Sequence, residues 1–170
     1  MSIKERPLTL NLSLIAVFAT LVTVSTLIIQ IPVPATGGYI NVGDATILIS
    51  ALLFGPIIGG VAGGVGSAVA DIISYPVFAP YTLVIKGIEG FISGYISDGK
   101  SAVKDLLAWI SGSAIMVLGY FIAEAYVMGL GPFPAAVEVP GNIFQAVLGG
   151  IVGIPLSRVL RTRLPSILTS

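Results

Sequence analysis

Apolar residues run through this chain in blocks too long and too unbroken for a soluble core, and the breaks between blocks fall at proline, glycine and short polar clusters. Six segments result. The first covers about 8–31 and is closed by Pro32 and Pro34, while a second, about 44–54, is short and turns at Gly55-Pro56 directly into a third over 57–74. Pro76 and Pro80 punctuate the next connection, after which a fourth helix is predicted over 81–96. A fifth follows over 105–128 beyond the polar link 97–104, and a sixth over 141–159 beyond the Gly/Pro-rich stretch 129–140. At about 1.5 Å of rise per residue, only the first, third and fifth comfortably cross an apolar layer about 30 Å thick. The second reaches roughly half way unless 39–43 extends it.

Composition gives that pattern a class. Of the 170 residues 55% are hydrophobic and 9% charged, and the mean hydropathy is +1.03, which places the chain in a bilayer as one integral membrane domain over 1–170. Eight basic and eight acidic residues cancel, so no net field draws the chain to nucleic acid. The absence of Cys and His excludes disulfides, thiolate or imidazole metal sites and cysteine nucleophiles. A carboxylate-only metal site stays open, but nothing calls for a metal or a cofactor. The first apolar run is about twice as long as a signal-peptide core and shows no small-residue cleavage site, so it reads as a retained helix.

The placement of the charges orients the bundle. Lys4 and Arg6 precede the first helix, Lys100 and Lys104 lie between the fourth and fifth, and Arg158, Arg161 and Arg163 follow the sixth, whereas the opposite loops 32–43, 75–80 and 129–140 hold no Lys or Arg. By the positive-inside bias both termini are cytoplasmic. The remaining cation, Lys86, stands inside an apolar segment three residues before Glu89, on the same helical face, so the two can pair.

Depth supplies the first hint of function. Counted inward from the outer ends, Asp44 is at the mouth, Asp71 and Glu124 about one turn in, Lys86 about two turns in and Glu89 near mid-membrane. Asn142 and Gln145 stand on the first turn of the sixth helix, again on the outer side. An ionised group at mid-membrane costs from about 2.5 kcal/mol upward unless it faces a partner or a wet cavity. These groups therefore share one outward-opening cavity, with Lys86 donating to a carbonyl, ring nitrogen or anion and Glu89 accepting from an N–H or hydroxyl. Packing accounts equally well for Asp71, which follows Gly66, Ser67 and Ala70 on a small-residue face. Glu124, between Tyr120 and Tyr126, fits an interfacial residue reaching water as well as a binding group, and interhelical hydrogen bonds suffice for Asn142 and Gln145.

The outer loop 32–44, with its prolines, glycines, Tyr39 and Asn41, has the composition of a structured cap. Tyr39, Tyr75, Phe78 and Tyr81 gather flat aromatic faces at the same rim, suited to an interface belt or to stacking on a planar ligand. Gly55, Gly59, Gly60, Gly63, Gly64 and Gly66 give the third helix small-xxx-small spacings for close helix approach, and Ala16 and Thr20 give the first helix a small pair four apart.

No G-x-x-x-x-G-K-[ST] loop, G-x-S-x-G elbow, His triad or H-E-x-x-H is present, so the chain has no visible engine and is not read as an enzyme. At this point it resembles the substrate-binding S components of energy-coupling factor (ECF) transporters, in the riboflavin-type branch. The matching stretches are Gly-Tyr-Ile-Asn-Val-Gly-Asp at 38–44, Ala-Leu-Leu-Phe-Gly-Pro at 51–56, the glycine-rich 59–71, Tyr-Pro-Val-Phe-Ala-Pro at 75–80 and Lys-Gly-Ile-Glu-Gly at 86–90. The resemblance implies an S component that captures a vitamin-like micronutrient outside the cell and delivers it with a transmembrane T component and two ATP-hydrolysing A subunits. It also implies a T-component contact through an Ala-x-x-x-Ala pair, here Ala16 and Thr20, with threonine in place of the second alanine.

The reading is therefore an all-α membrane protein of the cell membrane, a six-helix bundle with structured outer loops and cytoplasmic termini. Its substrate-binding candidates are Tyr39, Asn41, Asp44, Tyr75, Tyr81, Lys86, Glu89, Glu124, Asn142 and Gln145, facing a riboflavin-like or pyrimidine-type heterocycle. An autonomous ion-coupled carrier and a non-transport membrane scaffold are the alternatives.

Overall fold

The computed structural model describes residues 6–165, so Lys4, one of the orienting charges, lies outside the described residues. Six α-helices follow the expected order: α1 Leu8–Ile28, α2 Gly43–Phe54, α3 Pro56–Ser74, α4 Ala79–Ile96, α5 Ala102–Ile122 and α6 Pro132–Arg163. Between α1 and α2 the chain forms an antiparallel hairpin, β1 Gln30–Val33 paired with β2 Gly38–Asn41, Ile31 opposite Ile40 and Pro32 opposite Tyr39. The first helix therefore stops three residues earlier than its hydropathy suggested, and the segment thought able to lengthen the second helix continues it as a strand.

The larger correction is the sixth helix, which begins at Pro132 rather than near 141 and runs 32 residues through Pro140 and Pro155. Pro132 and Pro134 sit in its first turn, where a missing N–H costs nothing. Pro140 lies inside it and removes one rung of the hydrogen-bond ladder. Together α1, α3, α5 with its extension and α6 are long and apolar enough to cross a membrane. Their large apolar side chains point outward, among them Leu12, Val17, Ile72, Leu118, Phe144 and Ile151, each more than two-fifths exposed. Lipid is the medium that suits such a surface.

Glycine sets how tightly the centre closes. At Gly64 a Cβ would lie 2.6 Å from the Leu83 carbonyl oxygen, and at Gly59 one would lie 2.8 Å from that of Gly90, so α3 and α4 touch backbone to backbone. With no hydrophobic drive between helices in lipid, such close approach is what holds them. α1 leans on the same helix, where the Thr23 hydroxyl donates to the Gly66 carbonyl at 2.7 Å.

At the end carrying the start of α1 and the finish of α6, arginines satisfy the last carbonyls of α2. Arg161 donates to Leu52 O at 2.5 Å and Arg6 to Phe54 O at 2.8 Å, a cationic cap where the helix dipole is negative. Asp105, fully buried, takes Arg158 at 3.1 Å and the Ser97 hydroxyl at 2.7 Å. In the neighbouring loop the N–H groups of Ser101 and Lys100, each donating at 2.9 Å, hold the exposed Asp98 carboxyl well below the usual carboxylate range, with Lys104 adding to the effect.

Gly64→Ala should lower stability by about 1–3 kcal/mol through overpacking against the Leu83 carbonyl. Gly87→Ala, whose Cβ would meet nothing closer than 3.7 Å, should be tolerated. Thermal unfolding in one detergent compares the two.

Candidate functional site

The polar residues of α4 recur at Thr82, Lys86, Glu89 and Ser93, one stripe of the helix, all buried, while Leu83, Val84, Ile88 and Phe91 face outward. That stripe delivers Lys86 to the middle of the bundle, 2% exposed. Its ammonium donates to Asp44 Oδ1 on the first turn of α2 and lies 3.0 Å from Glu89 Oε2. It also stands 5.7 Å from the centre of the Tyr120 ring. The expected Lys86–Glu89 pair is thus a triad, with Asp44 as the third member. An ammonium taken out of water is retained only with such partners.

Above this floor lies a small polar cavity of about 20 Å³. That is room for a water or so. The hairpin roofs it with Gly38, Tyr39 and Asn41. Ser67 and Asp71 come from α3, Phe78, Thr82 and Lys86 from α4 and the turn before it, Tyr120 from α5, and Glu138, Asn142 and Gln145 from α6, with Thr26 of α1 closing the side.

Contacts to the surrounding helices fasten the roof, among them Gln30 Nε2 donating to the Ser74 hydroxyl at 3.2 Å. The Tyr39 hydroxyl donates to Asp71 Oδ1 at 2.5 Å, while its ring stacks on Tyr75 with centroids 4.6 Å apart. The Thr36 hydroxyl, at the hairpin turn, donates to Glu138 Oε2. The Asn41 N–H donates to Gln145 Oε1 at 2.7 Å, and the Asn41 side chain accepts from the Gly43 N–H at 2.8 Å, closing an Asx turn that starts α2. Behind Glu138, the five residues Ala123–Val127 form a π-helical turn closed by the Met128 N–H on the Ala123 carbonyl at 2.8 Å. Such turns re-aim side chains and recur at functional sites. Here the turn buries Glu124 completely, with its carboxyl hydrogen-bonded to that of Glu138.

Of the ten residues singled out in the sequence, Tyr39, Asn41, Lys86, Asn142 and Gln145 line this cavity. Asp44 and Glu89 sit under it as the partners of Lys86, and Tyr75 backs Tyr39. Glu124 lies behind the wall, not at a wet interface. Tyr81 packs against the cluster of Ile85, Met116, Ala123 and Ala146 and is not among the residues lining the cavity. Asn142 and Gln145 stand well inside α6 because that helix starts nine residues early. Sequence reasoning missed Thr26, Thr36, Thr82 and Glu138. Thr82 was within reach, four residues before Lys86 on the same face. Glu138 was hidden by the prolines around it, which made its helix look like a loop.

An all-helical membrane bundle with a hairpin-roofed polar cavity at one end and a packed, arginine-capped other end is a class of one-sided binding protein. The family profile described as "ECF-type riboflavin transporter, S component" matches residues 8–162, and the chain belongs to that family. It is a multi-pass cell-membrane protein and a substrate-capture subunit of ECF transporters, a family of transporter components rather than enzymes. A Pyrococcus woesei protein described as "Uncharacterized protein in gap 3'region" is 49% identical over 86% of this chain and 99% of its own length. The "Thiamine precursor transporter HmpT" of Lactococcus lactis is 28% identical over 88% of this chain and 87% of its own length. In the solved structure of the S component of a bacterial ECF transporter the same fold recurs, with a TM-score of 0.74 at 19% identity, covering 92% of this chain and 98% of that one.

Replacing Lys86 by Met leaves two buried carboxyls without their cation and should cost about 3–5 kcal/mol of stability. Adding Asp44→Asn and Glu89→Gln should recover much of that loss. Denaturant unfolding of the single and triple variants measures both.

Proposed function

We propose that this chain captures a planar, polar, vitamin-like heterocycle in the cavity beneath its hairpin, open to the outside of the cell, for ATP-driven import with a T component and two A subunits. The observation that carries this reading is the cavity itself: amide, hydroxyl and aromatic groups from the hairpin, α1, α3, α4, α5 and α6 converge over the Lys86 triad. Tyr39, Phe78 and Tyr120 offer ring faces for stacking. Asn41, Asn142 and Gln145 supply both donors and acceptors for a heterocycle edge. Tyr75, Asp44, Glu89 and Glu124 support those groups from behind.

The space reachable by water is far smaller than a vitamin, so capture requires the hairpin to lift. Its fastenings are few and polar, and a ligand able to replace the Tyr39–Asp71 and Asn41–Gln145 contacts can hold the hairpin in place afterwards. Riboflavin, from the family description, and thiamine precursors, from the name of the Lactococcus relative, are the first compounds to try.

On α1 the proposed T-component contact, Ala16 and Thr20, is exposed. The Thr20 hydroxyl donates back to the Ala16 carbonyl at 2.9 Å, so the pair turns methyl groups outward and keeps a small-residue surface for another helix.

Purified protein titrated with a vitamin panel should gain about 2.7 kcal/mol of stability from a binder at 100 times its dissociation constant. The Lys86→Ala, Glu89→Ala double variant should lose that gain, and retention of full affinity would move the site elsewhere. Ala16→Leu with Thr20→Leu should leave ligand binding intact while abolishing co-purification with a T component.

A further inference from the structure

Five acidic side chains surround this end of the bundle, Asp44, Asp71, Glu89, Glu124 and Glu138, none more than 5% exposed, and Lys86 is the one buried cation among them. The sequence offers no other: between Arg6 and Lys100 only Lys86 is basic, and between Lys104 and Arg158 no residue is. Lys86 is already engaged by Asp44 and Glu89. The carboxyls that line the cavity, Asp71 and Glu138, therefore face it without a cation of their own.

The hydrogen bonding of Asp71 is also incomplete. Asp71 accepts the Tyr39 hydroxyl through Oδ1, while its Oδ2, buried, meets no donor. Glu138 accepts the Thr36 hydroxyl. Behind it the π-helical turn sets the fully buried Glu124 carboxyl against that of Glu138, to which it hydrogen-bonds. Carboxylates held out of water need a positive charge or several N–H donors. The aromatic faces of Tyr39, Phe78 and Tyr120 on the same cavity favour the same kind of partner through cation–π attraction.

We propose that the cavity is selective for a cationic or multiply N–H-bearing heterocycle that presents its positive edge to Asp71 and Glu138, and that it discriminates against carboxylate and phosphate ligands. The inference rests on the capture reading above and adds the charge of what is captured. Lys86 serves as a neutralised floor rather than as an anion receptor, because two carboxylates already share its ammonium.

Isothermal titration of the full chain in lipid nanodiscs with thiamine as a permanently cationic probe, riboflavin as a neutral one and biotin as an anionic one tests it. Thiamine should bind at least about tenfold more tightly than biotin or riboflavin. Glu138→Gln and Asp71→Asn, both close in shape to the native side chains, should each weaken thiamine about tenfold or more and weaken riboflavin by a clearly smaller factor. Melting of each unliganded variant near the wild-type temperature shows that the fold is kept. Equal or tighter binding of riboflavin or biotin overturns the charge inference and leaves the capture reading standing. Wild-type affinity for thiamine in both variants overturns the assignment to Asp71 and Glu138. Failure of all three probes alongside binding of a neutral or anionic member of the vitamin panel overturns the charge inference alone, whereas failure of every panel member removes the capture reading as well.

Discussion

An ammonium group at the centre of an apolar bundle fixes much of what surrounds it. Lys86 is 2% exposed, and among the described residues it is salt-bridged by Glu89, one turn further along α4, and by Asp44, on another helix. Asp44 can reach it because α2 starts deep, directly after the hairpin, and because α6 is thinned where it passes: a Cβ at Gly149 would stand 3.0 Å from the Asp44 Cβ. The ion triad therefore sets the relative height of α2, α4 and α6. The hairpin exists in the room left above α2, and the cavity is the space between that hairpin and the triad.

The remaining helices meet a different constraint. In lipid, apolar side chains gain nothing by leaving one hydrocarbon surface for another, so the bundle is held by backbone proximity along α3 and α4 and by polar contacts across the ends. That accounts for an arrangement inverted relative to a soluble protein, in which the buried residues are rich in Gly, Ser, Thr and carboxyls while many Leu, Ile and Val cover the outside. It also makes the two ends dissimilar. One is closed by arginines on helix carbonyls and on Asp105; at the other, among the described residues, Asp71 and Glu138 are in no salt bridge.

Much of this could be read from residue order. Helices α1 to α5 begin and end within a few residues of the hydropathy breaks, and the depth of Lys86, Glu89, Asn142 and Gln145 pointed to one shared polar region because ionisable groups are too costly to scatter in lipid. What the order concealed were features decided by tertiary contact. Proline at 132, 134 and 140 reads as a loop, yet two of those positions fall in a first turn and the third is tolerated within a long helix, so Glu138 went unnoticed. The hairpin is too short and too proline-marked to announce a strand. Tyr81 shares a rim with Tyr39 in sequence terms but turns to an apolar cluster, a choice of helix face that its neighbours in the chain do not dictate.

Asn41 ties together two things that look separate. Its main chain is bound to Gln145 of α6, and its side chain caps the Gly43 N–H, one residue before Asp44 takes hold of Lys86. A push on the roof is consequently transmitted through three consecutive residues to the charged base, so mouth and floor act as the two arms of a single lever with its fulcrum at the start of α2.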